Sequence, residues 1–183
     1  MTERVVEALQ EAVHPRGLTT RVLTTDDVDA YLDLTRRASD FFENYDGGLP
    51  SRDVLEADML ARPPSVPAEA KMTLGVFRDD VLVAYVDALA GYPDDTTWFI
   101  GLLLIASSDR GHGLGTALVD GLGRAASAHR ATRLMIGVFD ANVPARRFWQ
   151  WLGFRDEKHV PDYTNTAGQP QPVTRMVRPL LSA

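Results

Sequence analysis

The 183-residue sequence has no cysteine, which excludes disulfides, thiolate metal ligands and a cysteine nucleophile. It has no uninterrupted run of 18 or more apolar residues and no charged-then-apolar start, so neither a membrane span nor a secretion signal is expected. The expected location is the cytoplasm, with no membrane partner. The four histidines, at 14, 112, 129 and 159, show no i, i+4 pairing, so a helical zinc motif is missing and no metal is expected. Gly-Lys-Ser and Gly-Lys-Thr do not occur, which excludes the phosphate loop of nucleotide hydrolases. Excess positive charge is missing too: the formal net charge is −6, which argues against nucleic acid as a partner. There are no repeats and no low-complexity tract. The length suits one domain over residues 1–183 with a substantial core, residues 3–12 forming a short helical extension.

What the sequence does have is concentrated in residues 98–123, where the apolar strand Trp98-Phe-Ile-Gly-Leu-Leu-Leu-Ile105 turns through Arg110-Gly-His-Gly-Leu-Gly115 into a helix. Glycines at 111, 113 and 115 remove every second Cβ, so the backbone can wrap closely around an anion. The following helix points its unpaired N–H groups and positive dipole end at the same place. Leu114, Ala117, Leu118, Leu122, Ala125 and Ala126 recur at helical spacing, which predicts helix over residues 113–128.

Two kinds of cofactor suit such a corner. A dinucleotide fold requires G-x-G-x-x-G or A. Counted from Gly111 the third small position falls on Thr116, and counted from Gly113 it falls on Leu118. Such a fold would also need several more parallel strands, and only 68 residues follow Gly115. Asp140, at the end of the next predicted strand, is the one residue favouring a dinucleotide.

The spacing Arg110-x-x-Gly113-x-Gly115 resembles the pyrophosphate signature of the GNAT superfamily of acyl-CoA-dependent N-acetyltransferases. Asn142-Val-Pro-Ala145-Arg-Arg-Phe148-Trp149-Gln-Trp-Leu152-Gly153-Phe154 resembles the second half of that pattern. The resemblance is close over residues 98–155 and elsewhere extends only to the order of elements. It implies acetyl-CoA as co-substrate, held by Arg110, Gly111, His112, Gly113, Leu114, Gly115 and Thr116 at the pyrophosphate. It further implies a thioester beside the backbone of Leu103, Leu104 and Ile105, and an Asn142 side chain on the pantetheine arm. His112 reads as a loop residue near the phosphates, and Asn142 before Val143-Pro144 reads equally as a helix N-cap.

The element order fits that fold: a single-domain, mixed α/β (α+β), mostly antiparallel sheet flanked by helices. Helices are expected over residues 3–12, 24–37 and from 51 to the Pro63-Pro64 pair, with 40–50 a loop. Strands are expected over 18–23, 72–77, 81–89, 97–106, 133–139, 155–159 and 173–180, and a helix over 144–152. Phe148, Trp151, Leu152 and Phe154 read as core. The apolar tail Pro179-Leu180-Leu181 suits a homodimer contact.

Charge divides the chain. Residues 24–60 carry ten acids against Arg36, Arg37 and Arg52, whereas residues 110–155 carry seven arginines against Asp120 and Asp140. A positive half suits a cofactor with three phosphates and a negative half concentrates cationic amines; solvated helix faces would give the acidic pattern equally well. The implied reaction is direct attack of a neutral primary amine, on a small molecule or a peptide N-terminus, on the acetyl thioester. A base must deprotonate the amine. Asp87 is the candidate because aspartate is disfavoured in strands and burial there would raise its pKa; Asp94, Asp95 and Glu43 are rivals. The family's usual acid, a tyrosine, is replaced by Trp149, whose indole N–H donates a hydrogen bond but transfers no proton. Tyr163 is an alternative donor. An acyl-CoA-binding sensor or interaction module without turnover is the other reading.

Overall fold

The structure, a computed structural model, describes residues 1–165 and 167–180. Its opening helix α1 (Thr2–Val13) carries Val5, Leu9 and Val13 at four-residue spacing, all fully buried against the main core. Strand β1 (Thr19–Val22) follows. The Thr24 N–H donates to the Asp27 carboxylate at 3.0 Å, which sets up helix α2 (Val28–Arg37). Residues 40–50 are not the expected loop. A short turn of helix, α3 (Ser39–Phe41), runs into a π-helical segment, Phe42–Asp46, that stops at Gly47 with φ 89°. Ala38 and Phe42, four residues apart, are buried, and the Asn44 amide caps the Asp40 carbonyl at 2.7 Å. Helix α4 (Arg52–Leu60) begins at Ser51, whose hydroxyl accepts from the Val54 N–H.

The remaining elements are β2 (Lys71–Arg78), β3 (Val81–Ala90), β4 (Thr97–Ile105), α5 (Leu114–Ala128), β5 (Arg133–Phe139), α6 (Val143–Trp151), β6 (Arg155–Val160) and β7 (Val173–Pro179). Asp79 and Asp80, both at positive φ, make the tight turn between β2 and β3. The seven strands form one sheet in the order β1-β2-β3-β4-β5-β7-β6, antiparallel except between β4 and β5. One face packs on α1, α5 and the aromatic end of α6; the other packs on α2 and α4.

Two irregularities place the site. The parallel β4–β5 ladder lasts four pairs, from Thr97 with Arg133 to Ile100 with Ile136. Beyond that point β4 stays with β3 as far as Ile105 and β5 stays with β7 as far as Phe139, so the sheet opens as a V. Just there the β3–β4 register slips: Asp87 pairs with Leu102 and Ala88 with Ile100, leaving Gly101 as the extra residue of a bulge.

Phe154 is 1% exposed, and Phe148 and Leu152 pack partly against the core. Trp151 is corrected: it is 73% exposed, because on α6 the inward direction is already taken by Trp149 two residues earlier, and residues two apart face different ways. Leu180 packs partly on the main core of its own domain, and its N–H donates to the Thr132 carbonyl at 2.7 Å; Leu181 lies outside the described residues. Among the described residues no helix is long and apolar enough to cross a membrane, and no cluster of His, Asp or Glu has metal-binding geometry.

Candidate active site

The three glycines of the corner serve different needs. Gly111 and Gly113 sit at φ 79°, a conformation that favours glycine. Gly115 is an ordinary helical residue, and a Cβ there would come within 3.0 Å of the Phe148 ring and 3.3 Å of Ile105. It lets α5 close on β4 and α6. The first intrahelical bond at this end runs from the Ala117 N–H to the Gly113 carbonyl, so the N–H groups of Leu114, Gly115 and Thr116 have no acceptor within the helix. Arg110 staples the corner down: its Nε donates to the Ile105 carbonyl at 2.8 Å, and its two terminal nitrogens grip Asp40 at 2.5 and 3.0 Å. That grip holds the Asp40 carboxyl below its ordinary pKa. His112 is exposed on the corner.

A cleft of about 410 Å³ lies between the arms of the V. Of the three strand residues expected at the thioester, Leu103 lines it, together with Gly101 and Leu102. Leu104 buries its side chain under α2, and the Ile105 carbonyl is taken by Arg110. None of residues 101–105 has a ladder partner on the β5 side. Asn142 caps α6, its Oδ1 accepting from the Ala145 N–H at 3.1 Å, and also lines the cleft. Trp149 does both jobs as well: 5% exposed, it packs edge-on between Phe148 and Phe154, each 5.1 Å away, and one side borders the cleft.

Asp87 is 8% exposed and lies beneath the floor of the cleft, its Oδ2 only 3.1 Å from where a Cβ on Gly101 would stand. Lys71, itself buried, donates to that oxygen at 2.8 Å and to the Asp58 carbonyl at 3.2 Å. The other oxygen, Oδ1, is buried without a hydrogen-bond partner. Burial pushes the Asp87 pKa up to about 6, against the opposing pull of Lys71. A second carboxylate, missed by the sequence reading, stands on the wall above: Asp58 lines the cleft, faces the Tyr31 hydroxyl at 3.4 Å and is also raised by burial. Its signal was its place on α4, between the buried Leu55 and Met59 on the inward side.

The rivals do not reach the site. Asp94 is an exposed turn anchor, held far below the carboxylate range by the hydroxyl of Thr96, then by Arg133 and Thr97. Asp95 and Glu43 are exposed and do not line the cleft. Asp140, the residue that favoured a dinucleotide, is occupied in tying β5 to its neighbours: it faces His159 Nε2 at 2.8 Å and accepts from the Thr174 hydroxyl at 2.6 Å. Tyr163 does line the cleft, and burial raises its pKa, so it keeps its proton. Of the ten acids between residues 24 and 60, Asp27 pairs at the surface with Arg21, Asp33 with Arg37, and Asp29 and Glu56 with Arg52.

A model of the acetyltransferase (GNAT) family matches residues 31–154. Among solved structures, an acetyltransferase from Thermus thermophilus is 28% identical, with 89% of this chain and 97% of that one aligned at a TM-score of 0.71. The ribosomal-protein-S18-alanine N-acetyltransferase of Escherichia coli is 17% identical over 91% of this chain and 96% of its own (TM-score 0.67). A putative acetyltransferase from Salmonella typhimurium, solved with its cofactor acetyl-CoA, is 18% identical over 91% of this chain and 95% of its own (TM-score 0.64). No curated protein matches the sequence significantly.

Proposed function

The chain belongs to the GNAT acetyltransferase family, and from that premise we propose that it moves the acetyl group of acetyl-CoA to a primary amine by direct attack of the amine on the thioester. The observation that carries this is the V in the sheet. It opens a cleft lined by Leu103, Asn142, Trp149 and Asp58 over the buried Asp87, and β4, one wall of that cleft, runs on into the corner of unpaired helical N–H groups. The pyrophosphate belongs on the backbone of residues 111–116, where N–H groups and the dipole of the fifteen-residue α5 converge. The pantetheine arm follows the free edge of β4, with Asn142 and Trp149 on its other side. An N–H of that edge, already oriented, stabilises the oxyanion of the tetrahedral intermediate.

The amine arrives charged, since alkylamines titrate near 10.4. Asp87 takes its proton across the bare floor at Gly101, with Asp58 on the cleft wall. A pKa of about 6 leaves Asp87 ionised at neutral pH while keeping it close enough to act as a base. The departing CoA thiolate, with a thiol pKa of roughly 8.5, leaves without needing Trp149 as an acid, and Tyr163 supplies a hydrogen bond from a hydroxyl that stays protonated.

Thiol release from acetyl-CoA, measured across a panel of primary amines, tests the reading: an acetyltransferase turns over, whereas a sensor binds without consuming acetyl-CoA. A separate variant tests the phosphate cradle. Thr116 is the third residue of α5. Thr116→Glu puts a carboxylate in the first turn, which favours the helix dipole by about 0.3–1 kcal/mol and opposes the phosphates. The melting temperature should hold or rise while acetyl-CoA binding weakens by about 10- to 100-fold, as expected for like charges a few ångströms apart. Unchanged affinity by calorimetry would place the pyrophosphate elsewhere. Gly113→Val is a poorer test, because the strain of a branched residue at φ 79° mixes folding with binding.

A further inference from the structure

On one face of the sheet, four residues of β3, β4, β5 and β7 stand in a row where the V opens. Asp87 pairs with Leu102 beside the bulged Gly101. Ile100 pairs with Ile136, which brings Gly101 and Gly137 to the same level on either side of the gap. Gly137 pairs with Arg175. A Cβ on Gly101 would point at Asp87, 3.1 Å from its Oδ2, and a Cβ on Gly137 would point at Val173, 3.1 Å away, which shares its face with Arg175 two residues on. The opposite face at this level is made by Val86, Ile100, Ile136 and Met176 of the main core. Three strand intervals, the middle one widened where β4 and β5 part, thus separate a carboxylate from a guanidinium, with two glycines leaving the floor between them bare.

Among the described residues, the charged side chains lining the cleft are Asp46, Asp58 and Arg175, with Asp87 beneath its floor. At one end, the Asp58 and Asp87 carboxylates have a single ammonium near them, that of Lys71, which donates to the Asp87 carboxylate and to the Asp58 backbone carbonyl. At the other, Arg175 is the one cationic side chain lining the cleft among the described residues. Its guanidinium makes no hydrogen bond to any described residue, and Nε is buried without a partner. The carboxylate closest to hand, Glu157, is 4.0 Å away and already accepts from Arg133 at 3.0 Å. A buried donor left unmade is expensive, and a guanidinium is shaped to take a carboxylate through two parallel hydrogen bonds. The roof of the cleft is apolar, with Tyr31, Phe41, Phe42 and Leu55.

We propose that the acceptor is an amphoteric primary amine, an amino acid or close analogue, whose anionic group rests on Arg175 while its amine faces Asp58 and Asp87 beside the thioester. This rests on the acetyltransferase reading and narrows it. An apolar side chain on the acceptor would fill the aromatic roof; a polyamine would leave Arg175 unmatched and repelled.

The test is acetyl-CoA consumption with the L-amino acids, each beside its own amide and its decarboxylated amine. The acid should exceed its amide and its amine by about tenfold or more in kcat/KM, the scale of one charge-assisted contact. Arg175→Gln should remove that preference by raising KM for the acid about 10- to 100-fold, with the amide, the acetyl-CoA affinity and the melting temperature unchanged; Arg175→Lys should restore part of it. Amides or decarboxylated amines used as well as the acids, or an Arg175→Gln enzyme that still prefers acids, overturns the amphoteric acceptor and leaves acetyl transfer standing. No consumption with any amine overturns both.

Discussion

An Asp87→Asn enzyme should lose about 100-fold or more in turnover with every acceptor, the usual scale for a general base, while its fold holds. Burial raises the Asp87 pKa to about 6 even with the Lys71 ammonium 2.8 Å away, so the native state tolerates a neutral group here, and asparagine supplies one of nearly the same shape. Chemical denaturation should show the variant about as stable as the native enzyme near neutral pH, which separates the loss of turnover from any loss of fold.

The pH dependence has a definite sign. As the base, Asp87 must be ionised, so turnover in the native enzyme should rise with pH through about 6 and level off above it, and the asparagine variant should lack that limb. Stability runs the other way. Burial raises this pKa above its unfolded value, so the native state holds the proton more tightly. The resulting contribution to folding is full below about 4 and is lost as pH rises to about 6. A variant that kept normal turnover and the acidic limb would move the base to Asp58, the carboxylate that faces the cleft directly.

Much of this site was legible because its determinants are local. The strand at Arg133–Phe139 and the helix after Gly113 follow from spacing within a few residues, and the corner from three glycines. The aspartate within β3 stood out because aspartate has little reason to be there, and its burial follows. What escaped the sequence depends on distant segments meeting. Asp58 and Arg175 are separated by the whole signature region and come to one cleft only because β4 and β5 part after Ile100 and Ile136, and because β7 inserts between β5 and β6. Arg175 carries no local mark at all, since an arginine in a strand near the end of a chain reads as surface. The π-helical segment was hidden for another reason: its polar residues resemble a loop, and burial of Phe42 against the second core decides otherwise. Gly115 shows the limit of motif reading, since its place in the pattern was clear but its reason, the approach of Phe148, was not.

Trp149 carries the second large effect, and it falls on folding before it falls on binding. The side chain is 5% exposed and sits edge-on to Phe148 and Phe154, so Trp149→Ala opens a cavity in the main core as well as removing a wall of the cleft. A loss of about 3–5 kcal/mol is expected for such a truncation, a large share of the roughly 5–15 kcal/mol that holds a domain together. For a chain of this size each kcal/mol shifts the melting temperature by about 2–4 °C, so the variant should melt about 6–20 °C lower. Acetyl-CoA should raise that melting temperature less than it raises the native one, because the ligand has lost an apolar contact. Trp149→Phe keeps an aromatic ring between the two phenylalanines and against the pantetheine arm. It should retain most of the stability and most of the turnover, since the indole N–H it removes cannot protonate the thiolate. A Trp149→Phe enzyme that folds and binds acetyl-CoA normally but turns over several hundredfold more slowly would show instead that this N–H acts in the chemical step.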